Sequence, residues 1–105
     1  MEKMIEILAK EFSQKPEYIR NIILLIDEGN TIPFIARYRK ELHGTMDDQL
    51  IREIADRLQY LRNLDKRREE IIASIESQGK LSEELAAAVQ KASTLSELED
   101  IYRPY

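Results

Sequence analysis

Between Thr45 and Gln78 the chain contains neither proline nor glycine, and its apolar residues recur every three or four positions: Leu50, Ile54, Leu58, Leu61, Leu64, Ile71, Ile72 and Ile75. That period belongs to an α-helix and not to the alternation of a strand. Thr45 is the expected N-cap, Asp47 and Asp48 fall where the helix dipole favours carboxylates, and Gly79 sits just past the end. About 33 residues at 1.5 Å rise predict a helix of roughly 50 Å, longer than is usual in a small domain. Arg68 interrupts the apolar stripe where a hydrophobe is expected, which argues against an unbroken coiled-coil seam. Glu53 with Arg57, Arg52 with Asp56, and Lys66 with Glu70 have the i, i+4 spacing of surface pairs on a wet face.

The rest of the chain reads as shorter helices. Ile5, Leu8, Ala9 and Phe12 line one side of a first helix, and Pro16 suits the first position of a second. That second helix carries Ile19, Ile22, Ile23 and Ile26, widened by Leu24 and Leu25, and is expected to be nearly surrounded by protein. The three-residue turn between the two has the spacing of a helix-turn-helix over residues 1–30. A DNA-reading helix should present base-contacting side chains at its start, but this one offers Glu17 beside Tyr18, Arg20 and Asn21. A plain helical hairpin is the better reading. A connector helix is expected over 31–44, ending at His43-Gly44, and short helices over 82–103 begin at Ser82 and at the Thr94/Glu97 capping box. The predicted fold is all-α: a hairpin and a short helix packed on one long helix, followed by two short C-terminal helices. The last helix has apolar residues on more than one side, which together with the unusually long helix reads as a piece of something longer. That the piece is the N-terminal part of a multidomain protein is what the family resemblance given below implies.

Composition narrows the function. The hydrophobic fraction of 43% and charged fraction of 34% describe a charge-rich globular chain. With no cysteine and one histidine, neither a disulfide framework nor a transition-metal site is expected. No apolar run approaches the roughly 20 residues of a membrane span, and the start has no signal-peptide pattern, so the expected compartment is the cytoplasm. The net charge is −4 and the pI about 5.1, so any nucleic-acid contact has to come from a local patch.

The candidates for chemistry are few. His43 beside Gly44 fits a helix end, where imidazole meets the last carbonyls. Asp47-Asp48 reads as a pair of dipole partners and not as an acid–base pair. Glycine-rich phosphate loops and nucleophile systems are absent, so no cofactor and no enzymatic activity are expected of the chain by itself. One constellation supports a binding hypothesis: Arg37-Tyr38-Arg39-Lys40, three cations around an aromatic ring that suits phosphates and a stacked base. The competing reading places Tyr38 in the core and pairs the arginines with carboxylates of the long helix or of segments outside the chain. It takes precedence here, because structural ion pairs are commoner than single-patch sites. Arg62, Lys66, Arg67 and Arg68 form a second basic cluster, interleaved with Asp65, Glu69 and Glu70, and read as a solvated face.

The stretch TIPFIARYRKELHGTMDDQLI from Thr31, followed by YLRNLDKRREEIIASIESQGKLSEEL and LSELEDIYRPY, resembles the N-terminal region of the Tex family of bacterial transcription accessory proteins. The resemblance implies a helical N-terminal region, then an RNase-H-like fold, helix-hairpin-helix elements and a C-terminal S1 domain that binds RNA. It also implies a long helix serving as a spine for those modules. The modules lie outside these 105 residues, so their RNA or DNA binding is expected of the parent protein and not assigned to this chain. Two roles follow. One is a scaffold that positions nucleic-acid-binding modules, with a possible basic contact through Arg37, Arg39 and Lys40. The alternative is a docking module for the transcription machinery, with apolar helix faces that could also drive self-association.

Overall fold

The computed structural model describes residues 1–105 and contains seven helices and no strand. These are α1 (Glu2–Phe12), α2 (Pro16–Asp27), α3 (Ile32–Tyr38), α4 (Lys40–His43), α5 (Asp48–Ser77), α6 (Glu83–Lys91) and α7 (Leu95–Tyr102). The all-α expectation stands. The chain divides into two compact units, Met1–Gln59 and Tyr60–Tyr105, and α5 runs through both.

In the first unit α1 and α2 form the hairpin, and α2 packs against α3 and α4. Ser13 takes a left-handed conformation (φ 53°) at the end of α1, and Pro16 opens α2 where a missing N–H costs nothing. The start of α2 is committed to the fold. Arg20 makes a two-pronged pair with Glu2, and Lys15 lies 5.5 Å from the Tyr18 ring. Ile5, Leu8, Ile19, Ile22, Ile23 and Ile35 are all buried. The expectation that α2 is nearly surrounded needs correcting, since Leu24 is 45% exposed.

The connector predicted over 31–44 is two helices and not one. Thr31 caps α3 by accepting from the Phe34 N–H, and the helix stops at Arg39, whose backbone (φ −127°, ψ 33°) leaves helical geometry. A second turn, α4, then starts at Lys40. His43 supplies the reason for the break. It is fully buried, and its Nε2–H donates to the Ile35 carbonyl at 2.9 Å, an oxygen that also accepts from the Arg39 N–H. Asn21 of α2 ties down the other end of α4 by donating to the Leu42 carbonyl. Gly44 follows with φ +77°, and a Cβ there would come within 2.9 Å of the Tyr18 ring. Both facts require glycine.

α5 begins later than its sequence suggests. Asp47, not Thr45, caps it, with its carboxylate accepting from the Leu50 N–H at 2.8 Å. Met46 just before the cap and Ile51 four residues after it are both buried, the pattern of a hydrophobic staple. Ile51, and not the half-buried Leu50, starts the buried stripe, which continues through Ile54 and Leu58 in the first unit. Thirty residues make α5 roughly 45 Å long. Two of the anticipated i, i+4 pairs are replaced: Arg57 bridges to Glu11 of α1, and Arg52 to Asp48.

In the second unit Leu64, Ile71, Ile75, Val89, Ala92 and Leu98 form one buried cluster. Ser82 and Thr94 cap α6 and α7 as expected, though Glu97 reaches back to the N–H of Ser93 and not to that of the cap residue itself. Two tyrosines brace the unit. The Tyr60 hydroxyl accepts from the Leu95 N–H, and the Tyr102 hydroxyl lies 2.6 Å from Ser74 Oγ.

Candidate functional site

The four residues singled out in the sequence lie together at the break between α3 and α4. Arg37, Tyr38 and Lys40 are exposed and Arg39 is half-buried. Helical spacing brings Phe34 beneath Tyr38, with ring centroids 5.2 Å apart and planes tilted by 50°. Arg39 Cζ lies 4.9 Å from the Phe34 ring centre, and Arg37 Cζ lies 6.0 Å from that of Tyr38. Phe34 was not among the expected site residues, although its i, i+4 relation to Tyr38 was available in the sequence.

Within these 105 residues the reading that took precedence for this cluster is corrected; its other branch, pairing with carboxylates of segments outside the chain, concerns residues not contained in it. Tyr38 is 55% exposed and therefore not core. Neither arginine pairs with a carboxylate, and the only hydrogen bond formed by either side chain joins Arg39 to the neighbouring Tyr38 carbonyl at 3.0 Å. The nearest carboxylates of the long helix have other work: Asp47 caps α5 and Asp48 holds Arg52. Beside the cluster opens a cleft of about 420 Å³, lined by Pro33, Ala36, Arg37, Lys40, Met46 and the two aspartates, among others.

The second basic cluster behaves in the opposite way, and its reading as a solvated face is corrected for two of its members. Arg67 grips Glu99 of α7 with two parallel bonds of 2.7 and 3.0 Å and stacks over Tyr102, 5.3 Å from the ring centre. The Glu99 carboxyl is held below its ordinary value, chiefly by that hydrogen bond from Arg67 and further by the guanidinium charge, against the opposing effect of desolvation. Arg68 occupies the gap in the apolar stripe because it closes the end of α6. It donates to the carbonyls of Val89 and Ala92, which no intrahelical donor reaches, and pairs with Asp65.

What the first cluster can do follows from these contacts. Its cations keep hydrogen-bonding capacity for an anion, and Tyr38 presents an open aromatic face beside them. His43 lies beneath as a structural clamp, and its Nδ1 has no partner.

Comparison with known proteins places the chain. Residues 2–76 match the model of the Tex-like protein N-terminal domain. The chain is 50% identical over 99 residues to protein YhgF of Escherichia coli, and equally to the transcriptional accessory protein Tex of Neisseria gonorrhoeae, covering 94% of this chain in each case. It is 39% identical over 102 residues to the human S1 RNA-binding domain-containing protein 1, covering 97% of this chain. It spans only 13% of the length of the two bacterial proteins and 10% of the human one. With the hairpin, the broken connector and the long helix in place, and a family match over most of its length, the chain belongs to the family of Tex-like protein N-terminal domains.

Proposed function

We propose that the chain is the helical N-terminal scaffold of a nucleic-acid-binding transcription accessory protein, positioning RNA- or DNA-binding modules carried elsewhere in that protein. The observation that carries this reading is α5. A single uninterrupted helix of 30 residues supplies Ile51, Ile54 and Leu58 to the core of one unit and Leu64, Ile71 and Ile75 to the other. Each unit builds its own core on its own part of that helix, which suits a scaffold for further modules. The names of the relatives, a transcriptional accessory protein and an S1 RNA-binding domain-containing protein, supply the setting. In this reading the chain is not itself an enzyme and works in the cytoplasm, consistent with the lack of any helix long and apolar enough to cross a membrane.

A docking role toward the transcription machinery has less support. The large apolar side chains exposed besides Tyr38 are Met1, Leu24 and Tyr105, each on a different segment, and such single exposures are ordinary on a protein surface. The scaffold reading is tested in a full-length family member by Lys66→Pro, which interrupts α5 at an exposed position. Nucleic-acid affinity of the whole protein should fall, while the modules expressed without this region bind as before. Unchanged affinity in the Lys66→Pro protein would overturn the scaffold role.

A further inference from the structure

We infer that the break between α3 and α4 is itself a contact site for single-stranded nucleic acid, with Arg37, Arg39 and Lys40 taking backbone phosphates and Tyr38 stacking on a base. This goes beyond the scaffold role and stands without it, since a scaffold can position modules while touching no nucleic acid.

The first support is the distribution of arginine partners. The chain is acidic, with 20 Asp and Glu against 16 Lys and Arg, and the fold spends its arginines accordingly. Arg20, Arg52, Arg57, Arg67, Arg68 and Arg103 each hold a carboxylate. Arg37 and Arg39 do not, although Glu41 is close in the chain and Asp47 and Asp48 line the same cleft as Arg37; those two carboxylates are engaged by the Leu50 N–H and by Arg52. In a molecule with surplus carboxylates, two arginines that flank one tyrosine and hold no carboxylate keep their hydrogen-bond donors for an anion.

The second support is the aromatic face. A tyrosine 55% exposed in a small domain leaves apolar ring surface in water, and here one side of the ring rests against Phe34, with centroids 5.2 Å apart. An exposed ring flanked by cations is how proteins hold single strands: bases stack on the ring, which reads no sequence, and phosphates meet the cations. Duplex DNA keeps its bases stacked inside and offers this ring nothing. An acidic peptide would use the cations and leave the ring idle. The third support is preorganisation. The His43–Ile35 hydrogen bond and the departure of Arg39 from helical geometry put Arg37, Tyr38, Arg39 and Lys40 on one short bend.

The test is fluorescence anisotropy of the 105-residue chain with a labelled single-stranded RNA of about 10 nucleotides, the length range held by one such site. It is run at low and at physiological salt beside duplex DNA and polyglutamate. Salt-sensitive binding that prefers the single strand is expected. Tyr38→Ala should weaken it about tenfold, Tyr38→Phe should restore it, and the Arg37→Ala, Arg39→Ala, Lys40→Ala variant should abolish it. Arg103→Ala, which removes an exposed cation paired with Asp100 in the second unit, should leave it unchanged. Circular dichroism of every variant checks the fold, and all of the substituted side chains are exposed or half-buried. Three results would each overturn the inference: no binding at low salt, equal binding of duplex with Tyr38→Ala silent, or polyglutamate competing as well as RNA. Failure here leaves the Lys66→Pro result untouched, so the two readings fall separately.

Discussion

The two basic clusters, Arg37-Tyr38-Arg39-Lys40 and Arg62 to Arg68, look alike as text. Each places arginines beside a lysine with carboxylates close by in the chain. The fold treats them oppositely. Around Arg67 and Arg68 it brings up α6 and α7, so that one guanidinium meets Glu99 and Tyr102 while the other meets the end carbonyls of α6. Around Arg37 and Arg39 it forms no ion pair: Asp47 and Asp48 line the same cleft as Arg37 but serve the start of α5, and the rings beside the two guanidiniums are their own neighbours Tyr38 and Phe34. A cationic run becomes structural when a packed element sets acceptors opposite it, and stays available for a ligand when none does. Charge in the sequence cannot distinguish the two cases. The location of the acceptors can.

That contrast can be broken by measurement. The largest effect is expected beneath the open cluster, at His43→Ala. It removes a fully buried ring and the bond that holds the end of α3, and should cost about 2–4 kcal/mol in urea unfolding. If the bend depends on that clamp, RNA binding should fall along with stability. Next comes Arg68→Ala. The side chain is 15% exposed, and its loss strands the Val89 and Ala92 carbonyls, so a cost on the order of 2 kcal/mol is expected. Arg68→Lys should recover only part of it, because an ammonium cannot reproduce the planar fork. Should Arg68→Ala unfold no more easily than the parent chain, its role as the cap of α6 would be wrong.

The Arg67–Glu99 pair gives a smaller, pH-dependent effect. The folded state depresses the Glu99 pKa, so the stability it contributes is present in full above the ordinary value of 4.5 and is lost as pH falls through the depressed value. The stability difference between the parent chain and Glu99→Gln should therefore close on acidification below pH 4.5. A difference that widened would contradict the pairing. The smallest effect belongs to the open cluster. The triple variant of Arg37, Arg39 and Lys40 to alanine should change unfolding stability by no more than about 0.5 kcal/mol, since the contacts these side chains make are confined to their near neighbours Phe34 and Tyr38. A cost approaching that of Arg68→Ala would erase the distinction between the two clusters.

Most of the helices could be read from the chain because their signals are local. Pro16 and Pro33 near helix starts, Ser82 and Thr94 as caps, Gly79 as a stop and the three-to-four spacing along α5 act through bonds and torsions within a few residues. The errors were of another kind. Thr45 and Asp47 are both acceptable caps, and burial of Met46 and Ile51 selects the register that uses Asp47. The break at Arg39 carries no proline or glycine to announce it; it follows from a histidine four residues on reaching a carbonyl four residues back. The site was half legible. Its residues could be named from the sequence, but whether they faced solvent or carboxylates could not.

The sequence alone determined an all-α chain with a long central helix, because periodicity and capping are properties of neighbours in the chain. Only the tertiary structure decided which cations were consumed and which were left exposed. Arg67 and Glu99 are 32 residues apart, and Arg68 and Val89 are 21 apart. Such partners meet only once α5, α6 and α7 have packed. For Arg37 the decisive fact was equally non-local: Asp47 and Asp48, which line the same cleft, are engaged by the start of α5 and form no ion pair with it.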